Sequence, residues 1–439
     1  MGKDNNRHSL LSTHTMCRLA ESQDDYIIIS LDECRYTFND NGWERMRRTL
    51  EMSGASFVYS DYIDNGEIQR LIPWQEGSLR DDFDFGKIVM VRSADLKKAV
   101  SGMDEEYEAA GWYDLRLRLT RDKAPTYCPE PLYTIEKFDP ESGSEENQFA
   151  YVDPRNRTSQ IEMERAATRH LKAIKAYVSP KDKISVDVSQ GAYPVEASVI
   201  IPVRNRHLTI ADAVESALSQ VTDFPFNIIV VDNRSDDGTS EILYRLEKRD
   251  PRVKVINTSG LPYPYIGIGG CWNIAVNSEY CGRFAIQLDS DDLYSGRDTL
   301  QKIVEKFRSE GCAMVIGSYT LTDFECNILP PGLIDHSEWT AENGANNALR
   351  INGLGAPRAF FTPVARALGF PDVCYGEDYA MGLAISRRYL IGRIYESLYL
   401  CRRWHDNTDH ALSREKINQN NYYKDYIRTL ELKERQSCK

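Results

Sequence analysis

The strongest regularity along the 439-residue chain lies after residue 196, where short continuous apolar runs alternate with amphipathic stretches. Ala197-Ser-Val-Ile-Ile-Pro-Val203, Asn227-Ile-Ile-Val-Val-Asp232, Val253-Lys-Val-Ile256, Arg283-Phe-Ala-Ile-Gln-Leu288 and Ala313-Met-Val-Ile-Gly317 read as five strands. Between them, 208–218, 240–248, 270–279 and 298–308 carry helical spacing; in the first, Ile210, Val214, Ala217 and Leu218 share a face. Strands that are apolar on both sides and separated by helices predict an α/β domain whose parallel sheet is covered on both faces. Ligands of such a sheet bind at the carboxyl ends of its strands.

Upstream the pattern changes. Asp139-Pro-Glu-Ser-Gly-Ser-Glu-Glu-Asn is a polar break, and Ser159-x-x-Glu162 has the form of a capping box opening a helix with Ala166, Ala167, Leu171, Ile174 and Val178 on its apolar side. Pro180 and Ser189-Gln-Gly-Ala-Tyr-Pro194 stop it, so 141–195 reads as a helical connector. The first 140 residues echo the later half of the 196–439 segment. Ile27-Ile-Ile-Ser-Leu-Asp32-Glu33 resembles Phe284-Ala-Ile-Gln-Leu-Asp289-Ser290, and Phe57-Val-Tyr-Ser-Asp-Tyr62 resembles Met314-Val-Ile-Gly-Ser-Tyr319. Asp114 sits like Asp378, and Pro131-Leu-Tyr-Thr134 like Ser397-Leu-Tyr-Leu400; Asp32 to Asp114 spans 82 residues and Asp289 to Asp378 spans 89. The segment reads as a partial second copy lacking the first two strands. The alternative is a chance match of short β-rich runs.

Composition narrows the function. Two or three domains fit the length, and 41% hydrophobic residues suffice for true cores. Sixty-six acidic against 54 basic residues give −12, which leaves no long-range positive field for nucleic acid or an anionic membrane. The ten cysteines form no C-x-x-C pair and read as buried thiols of a reducing compartment. Neither a signal-peptide core nor an apolar run near the ~20 residues of a membrane span is present, so a soluble, cytoplasmic protein is expected.

Candidate chemistry centres on Gln287-Leu-Asp289-Ser-Asp291-Asp292, an acidic turn directly after a strand and therefore on the ligand-binding rim. Hard oxygen ligands there suit Mg²⁺ or Mn²⁺ bridging a diphosphate. The alternative is a solvated turn capping the helix that begins near Asp298. With this turn, Ala197-Ser-Val-Ile-Ile-Pro-Val-Arg-Asn-Arg206, Val231-Asp-Asn-Arg-Ser-Asp-Asp-Gly-Thr239, Gly376-Glu-Asp378 and Arg402-Arg-Trp-His405, residues 196–413 resemble a family 2 inverting glycosyltransferase of GT-A fold. The partial copy extends the likeness, distantly, to bacterial two-module synthases such as chondroitin polymerase, where each module is complete.

That resemblance implies a fold and a set of residue roles. The fold is a GT-A catalytic domain, a Rossmann-like, mainly parallel sheet with helices on both faces, preceded by a truncated GT-A-like half-module that is catalytically inert. By the same resemblance, Pro202, Val203, Arg204 and Arg206 line the nucleotide side, and Asp232, beside Asn233, accepts a hydrogen bond from the base. A turn or helix-cap role is the competing reading of Asp232. Gly270 and Asn273 lie where the nucleoside is contacted, although a tight turn explains the glycines equally. Gln287, Asp289 and Ser290 take the ribose or sugar side; Asp291 takes the metal, with His405 as a second ligand or a solvated loop histidine. Arg403, with Arg402, meets the diphosphate or pairs with surface carboxylates. Glu377 and Asp378 either cap the helix after them or supply the general base, Asp378, with Glu377 raising its pKa. Gly355, Ala356 and Trp339 belong to an amide- and glycine-rich stretch near the donor sugar, and Trp339 and Trp404 are acceptor contacts; an ordinary surface loop is the alternative.

The resemblance therefore implies a metal-dependent transferase moving a hexosyl or N-acetylhexosaminyl group from a UDP-sugar to a glycan or glycolipid in bacterial-type polysaccharide biosynthesis. GDP-mannose or dTDP-rhamnose as donor, or a non-catalytic glycan-binding scaffold, are the alternatives. Leu400 replaces the glutamine of the processive Q-x-x-R-W signature, which favours single addition over polymerisation. The amino-terminal module would pack, dimerise or hold acceptor, with the protein at most peripheral to the inner membrane face.

Overall fold

The computed structural model describes residues 9–136, 157–262, 265–337, 340–404, 407 and 412–437. The chain divides into two compact units, residues 1–178 with 349–352 and 413–439, and residues 179–348 with 353–412. These units depart from the expected segments 1–140, 141–195 and 196–439. The connector helix and the carboxyl-terminal helix Arg414–Ser437 both count with the first unit.

The first unit contains α1 (Thr13–Ala20), β1 (Tyr26–Ser30), β2 (Arg35–Phe38), α2 (Gly42–Ser53), β3 (Phe57–Asp64), β4 (Glu67–Gln69), β5 (Ile88–Arg92), α3 (Ser93–Val100), α4 (Gly111–Leu119), β6 (Thr126–Glu136) and α5 (Arg157–Ala173). Its sheet runs β1-β5-β3-β6-β2, with β4 on β3. Side chains alternate across the strands as the pleat requires. Ile27, Ile29, Phe57, Tyr59, Val89 and Val91 enter one core, while Val58 and Met90 join Met46 and Leu50 of α2 in another. Helix α5 begins before Ser159, so the expected capping box does not form. The Glu162 carboxylate instead accepts hydrogen bonds from the Ala109 and Ala110 N–H groups, at 2.8 and 3.1 Å, at the entry to α4. A side chain one turn into its own helix satisfies the free donors of another.

The second unit contains β7 (Ala197–Val203), α6 (Ile210–Leu218), β8 (Phe226–Asp232), α7 (Thr239–Arg249), β9 (Val253–Asn257), α8 (Ile268–Asn277), β10 (Phe284–Gln287), β11 (Leu293–Tyr294) and α9 (Thr299–Glu310). It continues with β12 (Met314–Thr322), β13 (Ile328–Ile334), α10 (Gly344–Asn347), β14 (Arg358–Phe361), α11 (Thr362–Leu368), α12 (Glu377–Arg388) and β15 (Ile391–Arg402). The sheet order is β11-β15-β12-β14-β10-β7-β8-β9, with β13 on β12. Strands β10, β7, β8 and β9 are parallel, and every residue of β8 is buried, as a strand covered on both faces must be. The expected continuation from β10 to β12 is broken by β14, which pairs antiparallel with both. Four residues, Arg358-Ala-Phe-Phe361, are too short a run to stand out as a strand in the sequence. Because β7, β8 and β10 are parallel, they all end on the same side of the sheet, Val203 level with Asp232 and Gln287 level with Ile200.

Among the described residues, no helix is long and apolar enough to cross a membrane.

Candidate active site

On the nucleotide side of the rim, the turns after β7 and β8 interlock. Pro202 is half-buried, Val203 buried and Arg204 exposed. The Asp232 carboxylate is fully buried and accepts from the Ser235 N–H (3.1 Å), Ser240 Oγ (2.5 Å) and Asn257 Nδ2 (3.3 Å). In this structure Asp232 therefore caps its own turn. Asn233 stitches three segments, with its N–H on the Val203 carbonyl (2.8 Å), Nδ2 on the Ile266 carbonyl (2.8 Å) and Oδ1 accepting from Thr258 Oγ1 (3.1 Å). Asn273 clasps the backbone of Phe370 through both amide atoms, at 2.8 and 2.9 Å.

The glycines of α8 are explained by packing. A Cβ on Gly269 would lie 1.8 Å from the Pro371 carbonyl oxygen, and one on Gly270 would lie 2.4 Å from Asp372 Oδ1. The chain leading to Glu377 is pressed onto the helix backbone.

Arg206 turns back toward the acidic turn, its Nε 3.7 Å from Asp291 Oδ2. That turn is held from several sides. The Asp289 N–H donates to Tyr399 Oη (3.0 Å), and Gln287 Nε2 lies 2.9 and 3.1 Å from the two Asp289 carboxylate oxygens. Ser290 is buried. Asp291 Oδ2 accepts from Trp404 Nε1 (3.3 Å) and Asn407 Nδ2 (3.2 Å), and Asp292 Oδ1 from the Arg402 N–H (2.8 Å). The Trp404 indole N–H thus serves the acidic turn, and its ring lies against Phe324. Arg402 is buried, donating to the Asp291 carbonyl (2.6 Å) and lying 3.2 Å from Asp212 Oδ2. Its Nε and Nη1 are therefore taken up within the fold. Arg403 is half-buried and donates its backbone N–H to the Thr322 carbonyl (2.7 Å).

Crowding of carboxylates shows in their ionisation. Burial pushes Asp292 well above the ordinary range, and Asp291 and Asp289 add to it. Burial also raises Asp289, with Asp291 and Asp378 adding and Arg358 opposing.

Helix α12 starts after Gly376, whose φ of 83° suits a residue without a side chain. Glu377 is buried and pushed up to about 8, first by burial and then by Asp378. Asp378 Oδ1 accepts from the Tyr379 N–H (2.6 Å), and Oδ2 lies 2.8 Å from Arg358 Nη1. The same Nη1 donates to the Gly355 carbonyl (2.9 Å), and the Arg358 backbone N–H donates to Gln287 Oε1 (3.1 Å). Burial works against the Arg358 charge, but Asp378, Asp289 and Glu377 outweigh it and keep the guanidinium protonated. Gly355, at φ 92°, leaves no room for a side chain against the Gly317 carbonyl, and Ala356 beside it is half-buried.

The structure thus brings Gln287, Asp289, Ser290, Asp291, Trp404, Glu377 and Asp378 into one neighbourhood, with Arg206 at its edge. Arg358, Tyr399 and Asn407 are the partners that sequence reasoning missed. Arg358 had one available signal, an arginine heading an apolar triplet close to Gly355. His405 and Trp339 lie outside the described residues. Among the described residues no three His, Cys, Asp or Glu side chains are gathered as a ready metal cage. The hard oxygens of the acidic turn and their mutual repulsion nevertheless fit a divalent cation.

Residues 198–360 match the model of glycosyl transferase family 2. A Bacillus subtilis glycosyltransferase named for teichuronic acid biosynthesis, TuaG, is 35% identical over 124 residues, covering 28% of this chain and 46% of TuaG. The Campylobacter jejuni GalNAc(5)-diNAcBac-PP-undecaprenol beta-1,3-glucosyltransferase is 34% identical over 123 residues, covering 28% of this chain and 37% of its own. The chain thus spans less than half the length of either relative. Among solved structures, Staphylococcus aureus TarS 1–349 in complex with UDP-GlcNAc aligns with a TM-score of 0.42 at 19% identity, covering 54% of this chain and 66% of that one.

Proposed function

We propose that the protein is an inverting, metal-assisted glycosyltransferase that moves one sugar from a nucleotide sugar, a UDP-sugar in the first instance, to a hydroxyl of a glycan or glycolipid acceptor. The observation that carries this reading is the constellation Asp289–Arg358–Asp378, which joins the acidic turn of the strand rim to the carboxylate opening α12. Asp378 takes the proton of the acceptor hydroxyl as that oxygen attacks the anomeric carbon. The bond from that carbon to the diphosphate oxygen breaks on the opposite side, so configuration inverts. Glu377, kept neutral at pH 7 by burial, adds no second negative charge beside the base. Asp291, with His405, would hold Mn²⁺ or Mg²⁺, whose role is to neutralise charge gathering on the departing nucleoside diphosphate. Arg206 and Arg403 stand on the diphosphate side, and Val203 and Asn233 on that of the base. The names of the two relatives, one in teichuronic acid biosynthesis and one acting on an undecaprenol-linked glycan, support a cell-surface glycan as acceptor class.

The test is transfer or donor hydrolysis over UDP-sugars, GDP-mannose and dTDP-rhamnose, with Mn²⁺, Mg²⁺ or EDTA. Activity with at least one donor, lost in EDTA and in Asp291→Ala, is expected. Asp378→Asn should keep donor binding and lower kcat by about 10²–10⁴-fold. UDP binding without metal and without turnover of any donor would leave a non-catalytic scaffold as the correct reading.

A further inference from the structure

We propose that Arg358 is the positioning residue of the general base, fixing the direction of Asp378 and tying it to the donor side of the site. The proposal rests on the reading of Asp378 as base.

Three contacts made by one residue carry it. Its guanidinium Nη1 is 2.8 Å from Asp378 Oδ2 and donates to the Gly355 carbonyl at 2.9 Å. Its backbone N–H donates to Gln287 Oε1 at 3.1 Å, and the other end of that amide holds Asp289. Arg358 opens β14, the short strand between β10 and β12, and pairs in the ladder with Ile316 of β12. The side chain is 17% exposed, neither sealed in the core nor loose on the surface. Both charge-directed contacts use Nη1 alone. Among the described residues, no hydrogen bond is made by its Nε or Nη2.

The consequence for Asp378 is direct. Its Oδ1 accepts from the Tyr379 N–H and its Oδ2 lies beside Arg358, so the carboxylate is gripped at both oxygens. The contact with Arg358 fixes the direction of the carboxylate and orients its lone pairs. The other titratable groups facing this cluster are Glu377 on α12, Asp289 on the acidic turn and Tyr399 on β15.

The experiment measures kcat, donor KM and thermal unfolding for wild type, Arg358→Met, Arg358→Lys, Asp378→Asn and the double variant Arg358→Met/Asp378→Asn. Arg358→Met should lower kcat by about 10–100-fold, as misplacement of a reacting group does. Its donor KM should stay within about threefold. Arg358→Lys should recover part of the rate. In the Asp378→Asn background, Arg358→Met should add little, because its effect passes through Asp378.

Loss of thermal stability with an unchanged kcat would make Arg358 a structural bridge and overturn the proposal. A large rise in donor KM with an unchanged kcat would make it a substrate ligand and overturn it equally. Full losses that add in the double variant would also sink it. Failure of the base reading shows separately, as an Asp378→Asn variant that transfers sugar at the wild-type rate.

Discussion

The two sheets of this protein have the same plan over five strands and different contents. β1-β5-β3-β6-β2 in the first unit matches β10-β14-β12-β15-β11 in the second, and β4 lies on β3 as β13 lies on β12. The pairings share their sense, antiparallel from β1 to β5 to β3 and from β10 to β14 to β12, then parallel to β6 and to β15. Tyr133 pairs with Tyr62 as Tyr399 pairs with Tyr319. Tyr113 and Tyr379, each 20 residues before those tyrosines, both donate their hydroxyls to a carbonyl, of Leu79 and of Ala348, at 2.5 Å.

With that register, the place of Asp378 is taken by Trp112 rather than Asp114, and Tyr113 answers to Tyr379 rather than Glu377. Trp112 packs among Phe57 and Phe85. Asp114 is buried and paired with Arg118 at 2.8 Å. Asp32, which looked like Asp289 in the sequence, is one residue out of ladder register and pairs with Lys87 at 2.6 Å. The difference teaches that strand order alone carries no chemistry. The same frame holds a cluster of carboxylates around one arginine in one unit and an aromatic core in the other.

The sharpest way to press the comparison is to empty the aromatic position. Trp112→Ala should cost about 3–5 kcal/mol of stability, read as a lower denaturant midpoint, with transfer rate retained where the protein stays folded. Loss of kcat at full folding would show the first unit taking part in chemistry.

A smaller effect separates the two units by pH. Glu377 has its folded pKa raised from 4.5 to about 8, so the folded state holds a proton that the unfolded state has already lost. Its contribution is fully present below about pH 4.5 and is lost as pH rises through about 8, with a slope approaching about 1.4 kcal/mol per pH unit. Glu377→Gln should remove that slope from the stability–pH curve measured against wild type. An unchanged difference from pH 5 to 8 would contradict a buried, protonated Glu377.

The smallest expected effect tests the shared tyrosines. Tyr133→Phe removes the acceptor of the Lys87 N–H, and Tyr399→Phe that of the Asp289 N–H. Each should cost about 1 kcal/mol of stability, but only Tyr399→Phe should also lower kcat. Equal kinetic effects would place both tyrosines outside the chemistry.

Much of the second unit is legible in the sequence because its strands are buried on both faces. The run Ala197–Val203 appears unaltered as β7, and the next three runs lie within a residue or two of β8, β9 and β10. β14 escapes because four residues give no period, and with it escapes Arg358, whose importance comes from a strand inserted between two others. Asp289, Asp291 and Asp378 are legible from motif order. Asp289 and Asp291 take Tyr399, Trp404 and Asn407 from 110 to 116 residues away, and Asp378 takes Arg358 from an upstream strand, so no local pattern announces these partners. Asp232 and Asn273 show the reverse, polar residues on the expected rim whose hydrogen bonds are taken up by neighbouring side chains and backbone.

The bare backbone of α8 has a consequence for how this sequence can change. At Gly269 even a methyl group would collide with the Pro371 carbonyl and reach within 3.0 Å of Glu377 Cβ, and at Gly267 it would meet the backbone of Val373. Those positions hold the segment that aims the start of α12. In a library of all single substitutions screened for sugar transfer, they should stand as intolerant as the catalytic carboxylates while touching no substrate. A map of tolerance would therefore outline the acidic cluster and, behind it, a second outline drawn wholly by residues that have no side chain.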